Sequence, residues 1–190
     1  MAQLALVRHG QSEWNARNLF TGWVNEPLTD LGVTEARQAA EKLRGTTWNV
    51  IFESDLLRAK QTTEEIRQTL QLTVPIVTSE ALRERNYGIY TERNKDEVRE
   101  ELGEDEFEKL HRSWDYPIAG GESLKQVYQR VVPYFESEIL PRLKAGENVI
   151  ISAHGNSLRA LSKYLKPLSD QEIETFEIPT GGCILLLFPP

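Results

Sequence analysis

The chain has 190 residues, of which 39% are hydrophobic and 27% are charged, and its formal net charge is −7. This composition is typical of a soluble globular protein, and the acidic balance argues against a nucleic-acid partner, which requires a basic face. A single cysteine excludes an intramolecular disulfide framework, no secretory leader opens the chain, and no apolar run approaches the roughly 20 residues of a membrane span. We therefore expect a cytoplasmic protein without a membrane partner, folded as one domain over residues 1–190.

The first predicted element is a short buried strand over the apolar residues 4–7. It is followed directly by Arg8, His9 and Gly10, so a cation and an imidazole stand where the chain leaves the sheet. Ligands of α/β proteins bind at such carboxyl ends of strands. A single histidine in this position is more often a hydrogen-bonded structural group, and this segment alone does not identify a site.

Helices and strands then alternate. Thr29 is the predicted N-cap of a helix, and residues 50–52 predict the second strand. The side chains of residues 53–55 are suited to cap the helix after it, in whose first turn Arg58 stands. A cation there opposes the helix dipole and is expected to face an anion. Residues 74–77 predict a third strand that contains a proline, which favours an edge of the sheet.

The second half of the chain continues the alternation. A polar loop at residues 82–88 precedes a charged, partly helical segment at residues 93–112. A capping box begins a long helix at Ser123, and Pro133 is expected to kink it. Two further strands are predicted, at residues 148–153 and 184–188. The pattern predicts an α/β protein, a three-layer α/β/α sandwich with a mainly parallel, mixed sheet.

The strand at residues 148–153 ends in His154, Gly155 and Asn156, so two of the three histidines follow strands and each is followed by glycine. This repetition points to one site at one edge of the sheet. Side chains near the predicted strand ends offer two imidazoles, two guanidinium groups, a carboxylate and several neutral polar groups: His9, His154, Arg8, Arg58, Glu84, Ser12, Asn15 and Asn156. Arginine forks match phosphate oxygens, and a neutral imidazole is a competent nucleophile.

These residue types favour phosphoryl transfer through a histidine, assisted by a carboxylic acid that exchanges a proton with the leaving oxygen. Other chemistries lack their motifs. Zinc-ligand spacing such as HExxH or CxxC is absent, and so are the glycine-rich nucleotide loops and the GxSxG elbow of serine hydrolases. Arginines beside both histidines would also repel a metal cation, so no metal is expected.

The chain resembles the histidine phosphatase superfamily and, more closely, the cofactor-dependent (2,3-bisphosphoglycerate-dependent) phosphoglycerate mutases. The resemblance is collinear over nearly the whole chain, in LVRHGQSEWN, FTGWVNEPLTDLG, SDLLRA, RERNYG, GGESL, VIISAHGNSLRALSKYL and IPTG. RHG alone indicates only the superfamily, whereas FTGW, ERNYG, HGNSLRAL and IPTG together favour a mutase. The resemblance implies a phosphoglycerate mutase-like fold and the interconversion of 3-phosphoglycerate and 2-phosphoglycerate.

The same resemblance implies residue roles. His9 would carry the phosphoryl group, primed by 2,3-bisphosphoglycerate, with Arg8, Arg58 and His154 binding it and Glu84 exchanging the proton. The phosphate pocket would be completed by Ser12, Asn15, Thr21, Gly22, Gly155 and Asn156, and the carboxylate or second phosphate would be held by Tyr87, Lys95 and Arg112. The implied partner is a small phosphorylated substrate, and a homo-oligomer is left open.

Departures from the family pattern concern two segments. Adjacent arginines are usual where this chain has His111 and Arg112, which weakens one positive contact; a surface histidine is the favoured interpretation of residue 111. Relatives usually continue beyond the last strand with a basic tail, whereas this sequence ends at Pro190. We therefore expect a more open cleft and faster loss of phosphate from His9 to water. A broad-specificity histidine-type phosphomonoesterase and a non-catalytic phospho-ligand binder are the alternatives.

Overall fold

Apolar runs rich in valine, isoleucine and leucine form a five-stranded mixed sheet in the computed structural model, which describes residues 1–188. The strands are β1 (Ala2–Arg8), β2 (Val50–Ser54), β3 (Ile76–Ser79), β4 (Val149–Ala153) and β5 (Cys183–Phe188). Their order is β3-β2-β4-β1-β5, with β5 antiparallel to β1 and the other pairs parallel. The predicted mainly parallel sheet is confirmed, and its third strand lies at one edge as expected, although it begins at Ile76, directly after Pro75.

Helices cover both faces of this sheet. They are α1 (Glu13–Ala16), α2 (Asp30–Lys42), α3 (Leu57–Leu70), α4 (Lys95–Leu102), α5 (Glu104–Arg112), α6 (Leu124–Tyr134), α7 (Leu140–Lys144), α8 (Gly155–Leu165) and α9 (Asp170–Thr175). The side chains of α2 and α3 pack on one face, and those of α6 and α8 on the other. The three-layer sandwich is therefore confirmed. Within residues 1–188, none of the helices is both long and apolar enough to cross a bilayer.

A third, smaller apolar cluster lies beside the carboxyl edge of the sheet. Phe20, Tyr87, Val98, Phe107 and Leu110 are its buried centre, contributed by two loops and by helices α4 and α5. These helices are short and highly charged, so the cluster is what fixes them against the rest of the molecule. It forms one wall of the cleft described below.

Three local predictions met different outcomes. The Thr29 and Ser123 caps are confirmed. The capping of α3 by residues 53–55 is wrong: its N-cap is Leu56, which makes no side-chain cap, and Asn25 Oδ1 instead accepts the Leu57 N–H at 2.6 Å from a distant loop. Asp55 is engaged elsewhere, because it pairs with Arg83.

The long helix that begins at Ser123 does not simply kink at Pro133. The chain passes from α6 through a π-helical turn, Phe135–Ile139, into α7. A proline lacks the N–H for the usual helical bond, and a π turn is one way in which a helix absorbs such an interruption. The lone thiol, that of Cys183, is only partly buried because this residue begins the edge strand β5.

Candidate active site

The two histidines meet because of the register of adjacent parallel strands. Arg8 at the end of β1 lies opposite Ala153 at the end of β4, so His9 and His154 are the next residues along the same edge. The backbone N–H of His9 donates to Ala153 O at 3.0 Å. The two imidazole centroids are 4.9 Å apart, with 62° between the ring planes. The prediction that folding brings the two imidazoles together is confirmed.

The hydrogen bonds of His9 fix its tautomer. Nδ1 lies 2.6 Å from Gly10 O, which can only accept, so Nδ1 carries the proton. Nε2 is left as an acceptor and receives the Arg58 Nε–H at 3.2 Å. Burial, together with the charges of Arg58 and Arg8, lowers the pKa of His9 well below its usual value. At neutral pH the ring is uncharged, and Nε2 keeps a lone pair that can attack an electrophile once the hydrogen bond from Arg58 is given up.

His154 has a different environment. Its side chain is fully buried, and neither ring nitrogen has a hydrogen-bond partner within residues 1–188. Burial, followed by the charges of Arg58 and His9, lowers the pKa of His154 well below its usual value as well. A buried polar group without a partner is costly and is typical of a functional site. An anionic oxygen placed next to this ring would satisfy it and raise its pKa again.

Arg58 is buried in the first turn of α3 and clamps the loop opposite. Its Nη1 and Nη2 donate to Val24 O and Gly22 O, both at 2.8 Å, while its Nε faces His9. Burial lowers the pKa of Arg58 to about 10, so it remains a cation at neutral pH. The sequence led us to expect an anionic partner for Arg58. In the structure its guanidinium is held instead by two carbonyl oxygens and by the imidazole of His9.

Arg8 lies at the other side of the histidines. Its Nη1 donates to Ile178 O at 2.6 Å, and its buried Nε has no protein partner in the described part of the chain. A Cβ at Gly155 would lie 3.3 Å from Arg8 Cζ, so the guanidinium packs directly against the start of α8. The free Nε–H and the first amides of α8 are donors of the kind that bind a phosphate.

Glu84 is held by its backbone and by its side chain. Its Oε1 accepts the N–H of Arg85 at 2.7 Å and of Asn156 at 3.1 Å. Its carbonyl oxygen accepts Trp23 Nε1–H at 2.7 Å and Arg130 Nη2–H at 2.8 Å. The carboxylate is therefore tied to the start of α8, while tryptophan and arginine side chains fix the loop that carries it.

Close backbone contacts between glycines position the loops. A Cβ at Gly10 would lie 2.0 Å from Gly32 O, and a Cβ at Gly32 would lie 2.0 Å from Gln11 O. The loop after β1 therefore packs against the first turn of α2 at a distance that no side chain allows. Gly88 and Gly121 interlock the Glu84 loop with the loop before α6 in the same way, since their added Cβ atoms would lie 2.1 Å and 2.6 Å from Ala119 O and Asn86 O.

A cleft opens at this edge, and its lining contains most of the predicted site residues. They are Arg8, His9, Asn15, Thr21, Gly22, Arg58, Glu84, Tyr87, Lys95, Arg112, Gly155 and Asn156. His154 lies behind His9. Ser12 is fully buried and its Oγ accepts the Asn15 N–H at 3.3 Å, so its side chain holds Asn15 in place.

Three charged or titratable residues of the lining were missed or misjudged. His111 is a correction: it is not a surface histidine but faces the cleft, with its ring centroid 5.5 Å from that of Phe107. Burial, with Arg112 and other cations nearby, lowers the pKa of His111 to about 2, so its ring is neutral. Arg159 and Glu177 also line the cleft.

A signal for Arg159 was present in the sequence. It is the only charged residue in the buried part of helix α8, residues 155–162, and it follows Asn156 by three residues, where helical spacing brings the two side chains together. Its Nη1 donates to Asn156 Oδ1 at 2.9 Å, and its Nη2 donates to the carbonyl of Ile173 at 2.7 Å. The position of Glu177 depends on how the loop before β5 returns to β1, and no local pattern indicates that.

The cleft is locally basic in an acidic chain. Five cations, namely Arg8, Arg58, Lys95, Arg112 and Arg159, and two carboxylates, Glu84 and Glu177, line it. Within residues 1–188 no group of three or more histidine, cysteine, aspartate or glutamate side chains is arranged to hold a metal ion. A neutral imidazole nucleophile, arginines on both sides of it and one fixed carboxylate are suited to move a phosphoryl group.

Comparisons with known proteins agree with this chemistry. The model of the family described as "Histidine phosphatase superfamily (branch 1)" matches residues 4–189. The 2,3-bisphosphoglycerate-dependent phosphoglycerate mutase of Parvibaculum lavamentivorans is 48% identical over 185 residues, which are 96% of this chain and 88% of that protein. The enzyme of the same name from Nitrobacter hamburgensis is 47% identical, again over 96% of this chain and 89% of the relative.

Solved structures share the fold at lower identity. A mycobacterial glucosyl-3-phosphoglycerate phosphatase in complex with VO3 superposes with a TM-score of 0.82 at 26% identity, covering 97% of this chain and 92% of that one. A Thermus thermophilus protein superposes with a TM-score of 0.73 at 27% identity, covering 98% and 94%. The chain therefore belongs to the histidine phosphatase superfamily, and its sequence relatives place it among the 2,3-bisphosphoglycerate-dependent phosphoglycerate mutases.

Proposed function

We propose that this protein is a 2,3-bisphosphoglycerate-dependent phosphoglycerate mutase, which interconverts 3-phosphoglycerate and 2-phosphoglycerate in glycolysis and gluconeogenesis through a phosphohistidine. The relatives that carry this name match 96% of the chain at 47–48% identity. The structural observation that carries the proposal is the pair of neutral imidazoles, 4.9 Å apart, of which His9 lines a cleft with five cations and His154 lies directly behind it. The family match over residues 4–189 also supports one domain.

The residues present fit a ligand with two phosphates and a carboxylate. Near His9, the unpartnered Arg8 Nε–H and the protonated ring nitrogen of His154 are buried donors that an anion would satisfy. Further along the cleft, Tyr87, Lys95 and Arg112 supply donors for a second anionic group. 2,3-Bisphosphoglycerate supplies the phosphoryl group that primes the enzyme.

His9 is the proposed nucleophile. Its Nε2 attacks phosphorus in line with the oxygen that leaves, so an N–P bond forms as the P–O bond breaks. Arg58 and Arg8 spread the charge on the equatorial oxygens, and His154 donates a hydrogen bond to one of them. Because burial keeps the pKa of His9 low, the nucleophile is not lost to protonation at neutral pH.

Glu84 is the proposed proton carrier. It gives a proton to the oxygen that leaves phosphorus, and it takes one back from the hydroxyl that attacks phosphohistidine in the return step. The amides of Arg85 and Asn156 and the clamp on its carbonyl hold the carboxyl group in one position. Asn15, Thr21, Gly22, Gly155 and Asn156, with Ser12 acting through Asn15, are the proposed phosphate pocket.

Arg112, Lys95 and Tyr87 are the proposed contacts for the second anionic group. Asn156 Nδ2 donates to the hydroxyl of Tyr87 at 3.0 Å, so this end of the cleft is linked to the phosphate pocket. A bisphosphate that is bound at both ends can reorient in the cleft, so that its other phosphate then faces His9. We expect this cycle to need no metal.

A broad phosphomonoesterase is the competing function. The fold does not separate the two, since the superposed mycobacterial protein is named a phosphatase. The sequence relatives do, because those at 47–48% identity are named mutases.

The test is a turnover assay with 3-phosphoglycerate in a chelator, with and without a catalytic amount of 2,3-bisphosphoglycerate, and with release of inorganic phosphate followed in parallel. Formation of 2-phosphoglycerate that depends on the bisphosphate, faster than phosphate release, is the expected result. The His9→Asn protein, purified identically, controls for contaminating mutase. Phosphate release that outpaces isomerisation at every bisphosphate concentration would assign the protein to the phosphatases instead.

A further inference from the structure

One carboxylate lies between two of the arginines assigned to ligand binding. Glu177 Oε2 accepts Arg112 Nη2–H at 2.8 Å, and its Oε1 is 3.7 Å from Arg8 Nη1. The Glu177 side chain is 52% exposed, whereas those of Arg8 and Arg112 are 17% and 28% exposed. The acid therefore lies on the solvent side of the two cations, at the mouth of the cleft.

Glu177 is ionised at neutral pH. Burial alone would raise its pKa, but the hydrogen bond from Arg112 and the charges of Arg112, Arg8 and Arg159 outweigh burial and lower the pKa below its usual value. Its negative charge is thus a fixed part of the field at the mouth of the cleft.

The backbone on one side of Glu177 is firmly attached to the catalytic loop. Arg8 Nη1 donates to Ile178 O at 2.6 Å, and the Gly181 N–H donates to His9 O at 3.1 Å. Thr180 Oγ1 donates to Glu35 Oε1 at 3.1 Å, while Glu35 Oε2 accepts the N–H of Gln11. This segment is tied to the loop after β1, so its backbone is held in place. The half-exposed side chain of Glu177 can still rotate away from Arg8 and Arg112 into solvent.

The other buried arginines of the cleft are held by neutral groups. Arg58 donates to carbonyl oxygens and to His9, and Arg159 donates to carbonyl oxygens and to Asn156. Arg112 is different, because its Nη2 is occupied by a carboxylate that a ligand anion could replace. A phosphate or carboxylate bonded at the same nitrogen would lie within contact distance of Glu177.

We propose that Glu177 is an internal anion that competes with the ligand for Arg112 and Arg8, and that it thereby sets the affinity of the cleft for ligands with two anionic groups. The inference rests on the proposed function in assigning Arg112 to the second anion. A ligand whose only anion lies beside His9 disturbs just the longer contact, to Arg8. A ligand that reaches Arg112 must displace the carboxylate from its hydrogen bond, and Glu177 reforms that bond when the product leaves.

The test measures binding without turnover. Calorimetry in a His9→Asn background, in which no phosphohistidine can form, gives dissociation constants for 3-phosphoglycerate and for inorganic phosphate, whereas KM and kcat are measured with His9 present. Glu177→Gln keeps the size of the side chain and removes the charge; it should bind 3-phosphoglycerate about fivefold more tightly, the upper range for a partly exposed ion pair. Affinity for inorganic phosphate should change less than twofold, and KM for 3-phosphoglycerate should fall without a rise in kcat.

Three further variants give the matched controls. Glu138→Gln removes the same charge from an exposed position outside the cleft lining and should change neither constant. Glu177→Asp, which restores the charge, should return the affinity towards that of the wild type. Adding Glu177→Gln to an Arg112→Gln protein should give no gain, because the contested donor is already missing.

Two different results would overturn the inference and the proposed function separately. If Glu177 merely orients the arginines, Glu177→Gln will bind 3-phosphoglycerate equally or more weakly and its KM will stay or rise, which overturns the inference. The proposed function fails separately, through the absence of bisphosphate-dependent isomerisation by the wild-type enzyme. If the wild-type enzyme only hydrolyses its substrate while Glu177→Gln binds 3-phosphoglycerate more tightly, the competition by Glu177 is supported and the mutase function is rejected.

Discussion

The exits of β1 and β4 carry the same residue pair, His-Gly, at neighbouring positions of one sheet edge, yet the two imidazoles are bonded differently. His9 has both nitrogens engaged, Nδ1 with Gly10 O and Nε2 with Arg58. His154 has neither nitrogen engaged within residues 1–188, although its ring is completely buried. A nucleophile must be held in one tautomer with one lone pair aimed, whereas a group that binds a passing oxyanion must keep a donor free.

The contrast supports the two proposed roles without reference to any relative. The Gly10 carbonyl acts on His9 as an orienting acceptor, because it fixes the proton on Nδ1 and leaves Nε2 as the proposed attacking atom. For His154 the backbone on either side is occupied instead: its N–H donates to Ser157 Oγ at 3.1 Å and its carbonyl accepts from Leu158 N at 2.9 Å. Only the side chain of His154 is left to form a hydrogen bond with a ligand.

Replacing His9 is expected to have the largest effect. His9→Asn removes the only nitrogen placed to attack phosphorus, so turnover should fall by about 10⁴-fold or more, as for other covalent nucleophiles. The fold should persist, because residue 9 lies in a loop at the end of the strand. Incubation with 2,3-bisphosphoglycerate followed by intact mass measurement should show no added phosphate. An acid-labile phosphate gained by the variant would move the nucleophile to His154 and reverse the contrast.

Glu84 connects the two exits, since its Oε1 accepts from Asn156 N beside His154 while its loop is clamped by Arg130. Glu84→Gln keeps these bonds in reach but cannot exchange a proton, so kcat should fall by roughly 10²–10⁴-fold. The variant should still acquire phosphate on His9, more slowly than the wild type, when followed by rapid quench. A kcat within tenfold of the wild type would exclude Glu84 as the proton carrier.

Replacing His154 sharpens the contrast further. His154→Ala removes a hydrogen bond made to the moving phosphoryl group, for which a loss of about 10²–10³-fold in kcat is typical. Unlike His9→Asn, it should still form phosphohistidine. His154→Gln, which offers an amide donor from a similar position, should recover part of the loss. Equal rates for the alanine and glutamine variants would mean that the ring supports the site only by filling space, and thermal unfolding of both variants separates that case from simple instability.

Much of this could be predicted from the sequence because the decisive signals are local. Short apolar runs that end in His-Gly predict strands with ligand-binding exits, and parallel pairing then brings His9 and His154 together. Caps such as Thr29 are equally local and were found. The cap of α3 was assigned wrongly because Asn25 is 32 residues away from Leu57, and which loop reaches a helix end depends on tertiary packing.

The misjudged residues share that cause. A histidine in a charged segment is most often solvated, but the centroid of His111 lies 6.2 Å from that of Phe20, and the aromatic cluster brings it to the cleft. Glu177 reaches Arg112 across 65 residues of sequence. Both contacts depend on which loops fold back over the sheet edge, and residue spacing carries no information about that.

The smallest expected effect concerns stability. In the folded protein the pKa of His9, of His154 and of His111 is lowered mainly by burial, that of His111 to about 2. In the unfolded chain histidines titrate near pH 6.5, so below that pH the unfolded state binds more protons than the native state. The free energy of unfolding is therefore greatest above about pH 6.5 and declines as the pH falls, by up to about 1.4 kcal/mol per pH unit for each histidine.

Urea unfolding at several values between about pH 5 and pH 7.5, above the range in which ordinary carboxyl groups titrate, measures this slope. His111→Gln and His154→Gln should each remove about one third of it, because each deletes one of three neutral rings whose pKa is lowered in the folded protein. A slope that is unchanged in both variants would mean that these two rings titrate in the native state as they do in the unfolded chain. In that case burial would not keep the His154 ring neutral, and the contrast between a held nucleophile and a neutral free donor could not stand.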